Sequence, residues 1–228
     1  MSKELTRVLE PTGAIVGIDM GIASFVITSD GTHLLNPRHG KNTADALADT
    51  QRELTKFPRR RAANRTKRHR RAAAKVSRLN RKVARQRLDH AHKTALALVC
   101  ENDLIAHENL RIANMVKIPA AKPDPEKPGT YLPNGRAAKA GLNHSISDAG
   151  WGVFLGILAH KAESAGRVVI PVNPRNTSHT CPDCGHVAAE NRSTQETFRC
   201  VECSFTEHAD VVGATNILRA GPALYDTA

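Results

Sequence analysis

The chain has 228 residues, 40% of them hydrophobic but only 4% aromatic, and a formal net charge of +11. That length suits one medium domain plus a small module, with a core built from Val, Ile, Leu and Ala. No apolar run is long enough to cross a membrane and the opening MSKELTRVLEPTG has no signal-peptide core, so the expectation is a cytoplasmic protein with no membrane partner. From Lys56 to Lys93 there are sixteen lysines and arginines against one acid, Asp89; the rest of the chain, with 17 basic and 21 acidic residues, has a net charge of −4. One element therefore carries the positive excess, which favours a polyanionic partner.

In chain order, residues 1–12 read as a loose lead-in and Ala14–Gly21 as a buried strand with Asp19 near its end. Ile22–Gly31 reads as a second strand closing at the turn pair Asp30-Gly31, and Thr32–Leu35 as a short return strand. A carboxylate on an apolar strand is costly unless a positive charge pairs with it, and a metal ion would serve. Alone, Asp19 is equally a turn aspartate.

Residues 44–99 read as two long helices broken near Pro58, with Ala72, Val76, Leu79, Val83, Leu88, Ala91, Ala95 and Leu98 at helical spacing. The other faces carry Arg59, Arg60, Arg61, Arg65, Lys67, Arg68, Arg70, Arg71, Lys75, Arg78, Arg81, Lys82 and Arg85. Solvated helix faces mix charge signs, whereas this one is nearly all basic, so it is expected to contact nucleic-acid phosphates without reading bases. Cys100 is expected in the core. Next come the strand Leu104–His107 ending in Glu108, an extended loop over 111–143, and a helix capped by Ser147 or Asp148 that runs from Trp151 to Gly166. Arg167–Val172 reads as another strand, and the helix that Asp210 opens is expected to stop at Gly221-Pro222.

Two CxxC pairs, Cys181/Cys184 and Cys200/Cys203, stand fifteen residues apart. Each can place two thiolates on one tight knuckle, and the spacer can form a hairpin joining the knuckles, the pattern of a tetrahedral structural Zn2+ site. The order of elements suits an α/β, ribonuclease-H-like (RuvC-like) mixed sheet with a basic helical-hairpin insertion and a zinc ribbon. Such a sheet brings Asp19, Glu108 and Asp210 to one edge. Hard carboxylate ligands suit Mg2+ or Mn2+, and two such ions about 3.5–4 Å apart perform in-line phosphodiester hydrolysis.

The stretches GIDMGIASFVITSDG, RLDHAHKTA, IAHENLRIANM, AKAGLNHSISDAGWGVF, TSHTCPDCGH…FRCVEC and HADVVGATNILRAG resemble, in order, the C-terminal half of the OrfB/TnpB proteins of bacterial insertion sequences. These are RNA-guided nucleases with a RuvC-like domain, often called transposases. The resemblance implies that Asp19, Glu108 and Asp210 are the catalytic carboxylates and Cys181, Cys184, Cys200 and Cys203 the zinc ligands. It implies a nuclease core over 1–176 with its insertion at 44–99, a zinc ribbon at 177–206, a completing helix at 207–220 and a tail at 221–228. Family members usually carry a β-barrel-like and a helical module before the first aspartate. The expectation here is a shortened chain that acts on DNA, with guide RNA or a full-length relative in trans as further partners. The alternatives are a non-catalytic nucleic-acid-binding remnant or regulator of the element and, more weakly, a junction resolvase.

Overall fold

The computed structural model describes residues 8–58 and 64–225. Arg59, Arg60 and Arg61 lie outside them. Five strands form the main sheet: β1 (Ile15–Asp19), β2 (Ser24–Thr28), β3 (His33–Leu35), β4 (Leu104–Glu108) and β7 (Val168–Val172). Their spatial order is β3-β2-β1-β4-β7, antiparallel on the β3-β2-β1 side and parallel across β1, β4 and β7. The Asp30-Gly31 turn closes near β2 as expected, with Gly31 at φ +84°. Among the described residues, no helix is long and apolar enough to cross a membrane.

Side chains alternate across a strand, and that alternation builds two cores. On one face Val16, Ile18 and Ile105 pack with Ala91, Ala95, Leu98 and Val99 of α2 (Lys67–Glu101) and with Phe154, Leu158 and Ala162 of α5 (Trp151–Ala165). On the other, Leu104, Ala106, Ile170 and Val172 receive Ile217 of α6 (Ala209–Tyr225). The result is three layers, with α6 over the second face.

Gly17 is what allows α6 to lie so low. A Cβ there would fall 2.1 Å from the Ala214 carbonyl oxygen and 2.6 Å from the Leu218 nitrogen, both backbone atoms. Gly17→Ala is therefore expected to cost about 3 kcal/mol, read as a lower denaturant midpoint at unchanged m-value.

Several expectations need correction. Cys100 is exposed; it sits on the last turn of α2 facing away from Leu98 and Val99, which take the core positions. Leu88 is likewise exposed. The first basic-region helix, α1, begins earlier, at His39, and ends at Thr55. The segment 111–143 is not one loop: it holds α3 (Ile112–Met115), the small hairpin β5 (Lys122–Pro123) and β6 (Tyr131–Leu132), and the start of α4 (Arg136–Ala149). Gly141 and the scarcity of apolar residues obscured α4, which buries only Ile146 and Asp148.

Asp148 is inside α4 and does not cap α5. It caps another helix across space, accepting from the Gly40 and Lys41 amides of α1 at 2.7 and 3.0 Å while pairing with Arg87 at 2.7 Å. Gly150, in the left-handed conformation, separates α4 from α5. Pro222 lies inside α6, which continues to Tyr225. Packing holds it there: Gly221 sits so close to Ala106 that a Cβ would come within 2.7 Å of that side chain.

Candidate functional site

Asp19 ends β1 and Glu108 ends β4. The two strands run parallel, with Gly17 opposite Ala106 and Ile18 opposite His107. One step further along that register brings Asp19 and Glu108 side by side, both on the α6 face by the two-residue period. Asp210 occupies the first turn of α6, where a carboxylate interacts favourably with the helix dipole. The three meet: Asp19, Glu108 and Asp210 line one cleft of about 280 Å3 together with Gly21, Trp151, Ser178, Arg192 and Gln195. A larger hollow of about 730 Å3 beside Asn109, Arg111 and Asn173 has no carboxylate in its lining, so size alone does not mark the site.

The charge balance of the cleft is unfavourable. Burial, then the neighbouring charges of Glu108 and Asp210, push the Asp19 carboxyl up to about 7. Burial also raises Glu108, against the opposing hydrogen bond from the Thr177 hydroxyl and the charge of Arg192. Arg192 donates to Asp210 at 2.9 Å. Gly213 keeps α6 close; a Cβ there would stand 3.0 Å from Asp19 Oδ2. Oxygen donors under mutual repulsion fit a hard divalent cation.

The cysteines form a second cluster. Cys181 Sγ lies 3.6 Å from Cys203 Sγ, and Cys184 Sγ lies 3.6 Å from Cys200 Sγ. Among the described residues, these four are the only group of three or more His, Cys, Asp or Glu side chains whose ligand atoms all lie within 4.8 Å of one another; the three carboxylates are more widely spaced. A tetrahedral ion with bonds of about 2.3 Å needs sulfurs roughly 3.8 Å apart, so the cluster can hold a metal such as zinc. Each knuckle turns through a left-handed residue after its second cysteine, Gly185 at φ +77° and Ser204 at φ +63°. The spacer does not form the hairpin expected between the knuckles; instead β8 (Thr197–Arg199) and β9 (Thr206–His208) pair on either side of the second knuckle, which is their turn. Asn191, fully buried, donates to the His179 and His186 carbonyls and accepts from the Val201 amide, joining the knuckles. Asn216 of α6 donates to the Thr177 and Thr180 carbonyls and so fixes the module on the helix that carries Asp210.

Lys67, Arg68, Arg70, Arg71, Lys75, Arg78, Arg81, Lys82 and Arg85 are all exposed, and Arg65 is half-buried. Among the described residues none of these ten has a carboxylate within ion-pair distance. Lys67, Arg71, Lys75, Arg78, Lys82 and Arg85 recur every three or four positions and so share one face of α2. Arg87, by contrast, is turned inward to Asp148.

Residues 2–119 match the OrfB_IS605 family model, described as a probable transposase. The chain belongs to the OrfB/TnpB family. The OrfB match covers half of the chain, and a second model, the Cas12f1-like TNB domain, matches residues 151–217. The chain is 37% identical to a protein of Escherichia coli K12 named putative RNA-guided DNA endonuclease InsQ, over 97% of this chain and 52% of that one. It is 32% identical to a putative RNA-guided DNA endonuclease of Streptomyces pristinaespiralis, over 93% of this chain and 46% of that one. It thus spans about half the length of these curated relatives. The fold is similar to that in a Cas12f1-sgRNA-target DNA complex, with a TM-score of 0.57 at 18% identity over 92% of this chain and 50% of that one.

Sequence reasoning did not single out Thr177, Arg192 or Gln195, and it read Trp151 only as an apolar helix residue. Thr177 had a signal, its place in the TSHTC stretch before the first knuckle. Arg192 and Gln195 sit in the spacer between the CxxC pairs, whose path the spacing alone does not fix.

Proposed function

We propose that this OrfB/TnpB family member is the core of a divalent-metal-dependent DNA endonuclease, with a ribonuclease-H-like (RuvC-like) sheet and Asp19, Glu108 and Asp210 as its catalytic carboxylates. The observation that carries the reading is the cleft itself. Three acids from separate parts of the sequence line it, and burial together with the charges of Glu108 and Asp210 pushes the Asp19 carboxyl up to about 7. The β3-β2-β1-β4-β7 order, with its antiparallel hairpins and parallel continuation, supports the fold assignment.

Mg2+ or Mn2+ held by the three carboxylates, two ions in the mechanism favoured here, would supply Lewis-acid activation of water and stabilise the departing oxygen. The chain's own groups do the positioning. Asp19 and Glu108 are set by the sheet register, and Asp210 by the first turn of α6. Zn2+ on Cys181, Cys184, Cys200 and Cys203 is structural in this reading. In this reading the chain up to 176 and the helix α6 form the nuclease core, and the cysteine module, which runs on to the end of β9 at His208 and so two residues past the expected 206, is an inserted ribbon. The exposed face of α2 holds DNA or a guide RNA by its phosphates; the names of the relatives, RNA-guided DNA endonucleases, support both as partners.

The test is cleavage of single-stranded DNA by the 228-residue chain with Mg2+ or Mn2+, beside Asp210→Ala. Metal-dependent cutting by the parent, lost in the variant with binding kept, is the expected result. Equal cutting by Asp210→Ala removes the assignment. A second reading, nucleic-acid binding without turnover, is favoured by the basic face of α2, which stands independently of the acidic cleft. It predicts salt-sensitive binding with no cleavage by either protein.

A further inference from the structure

The cysteine module touches two of the three carboxylates. The Thr177 hydroxyl donates to Glu108 Oε1 and also lies 3.2 Å from the Pro174 carbonyl oxygen. Thr177 itself is only 8% exposed, and its carbonyl is held by Asn216. From the far side of the module, Arg192 reaches Asp210 Oδ1 at 2.9 Å and the Gln195 carbonyl at the same distance. Arg192 also forms a bridge with Phe198, a buried residue of the small core that holds Cys181 and Cys200. The Arg192 contact therefore depends on the core around Cys181 and Cys200, and the Thr177 contact on the Asn216 bonds that fix the module to α6.

The two contacts act in opposite senses. A hydroxyl donor orients a carboxylate while leaving its other oxygen and its charge for a cation. A guanidinium on a carboxylate neutralises it and competes with a cation for the same oxygen. We propose that the cysteine module controls divalent-ion loading of the acidic cleft: Thr177 positions Glu108 as a ligand, and Arg192 neutralises Asp210 until an ion displaces it. Thr177 and Arg192 are positioning residues here. The inference rests on the reading of Asp19, Glu108 and Asp210 as the metal-holding carboxylates.

The chain has a single tryptophan, Trp151, and it lines this cleft. Tb3+, a hard trivalent stand-in that prefers carboxylates to thiolates, can therefore be followed by luminescence sensitised through Trp151, with Mn2+ and Mg2+ as competitors and no substrate present. Thr177→Val should weaken binding about tenfold, and Thr177→Ser should restore it. Arg192→Gln should tighten binding about tenfold by removing the competing cation. The Arg192→Gln increase is a gain that misfolding cannot produce. If Asp19→Asn abolishes the signal but the Thr177 and Arg192 variants bind like the parent, the loading inference is overturned and the catalytic reading stands. If Asp19→Asn binds Tb3+ like the parent, the cleft is not the ion site and both fall.

Discussion

Asp19→Asn is expected to abolish metal-dependent cleavage, by about a thousandfold or more, and at the same time to make the protein more stable when no divalent cation is present. The reason is that the folded chain holds the Asp19 proton far more tightly than an unfolded chain does, with the carboxyl raised from 3.8 to about 7. A carboxyl raised in the folded state contributes stability below its unfolded value, and that contribution is lost as pH rises through the window up to the folded value. The parent should therefore lose stability between pH 4 and 7 and stay low above. The limiting penalty is roughly 4 kcal/mol. The amide has no charge to bury, so in zinc-replete buffer at pH 8 the variant should melt about 10 °C higher. Added Mg2+ should raise the melting temperature of the parent and leave the variant unchanged. A variant that melts below the parent at pH 8 would mean that Asp19 is not under the strain described.

Removing the cysteine-bound metal should have the other large effect. We expect about one zinc per chain and loss of the β8–β9 hairpin on treatment with a strong chelator or in Cys200→Ser, since structural zinc contributes on the order of 10 kcal/mol of folding energy. The small core of Cys181, Phe198, Cys200, Ala209 and Val212 includes the first turns of α6, so Asp210 should lose its position too. The cores on either face of the sheet are built from other residues and should persist. Circular dichroism would then show two transitions, the first abolished by zinc, with cleavage lost at the first. A metal analysis finding no zinc in fresh, reduced protein, or one concerted transition untouched by zinc, would contradict this.

The strands of the main sheet were legible because each contains a short apolar run, whereas β5 and β6, two exposed residues each, carry no such run. The cysteine cluster was legible because ligand spacing is a local property. Asp19, Glu108 and Asp210 stood out as acids at the ends of apolar elements; the sheet register pairs the first two, and the first turn of α6 brings the third. Arg192 and Thr177 were not legible as cleft residues, because their positions depend on how the cysteine module folds back onto the sheet. The helix over 136–149 was missed since it buries little, and amphipathic pattern is the main sign of a helix. Asp148 shows the limit most plainly. Its residue type signalled a helix cap, and a cap it is, but of a helix more than a hundred positions earlier.

The fit of Gly17 under Ala214 and Leu218 also has a meaning in time. The strand that holds Gly17 is made before the helix that covers it and carries Asp210, with nearly the whole described chain between them. Translation proceeds at about 5–20 residues per second, so the first strand waits several seconds or more for that helix. During that interval the basic helix α2 is already made, so the nucleic-acid contact proposed for it would precede a complete acidic cleft. In the proposed reading, cutting would wait until the helix bearing Asp210 has closed over the sheet.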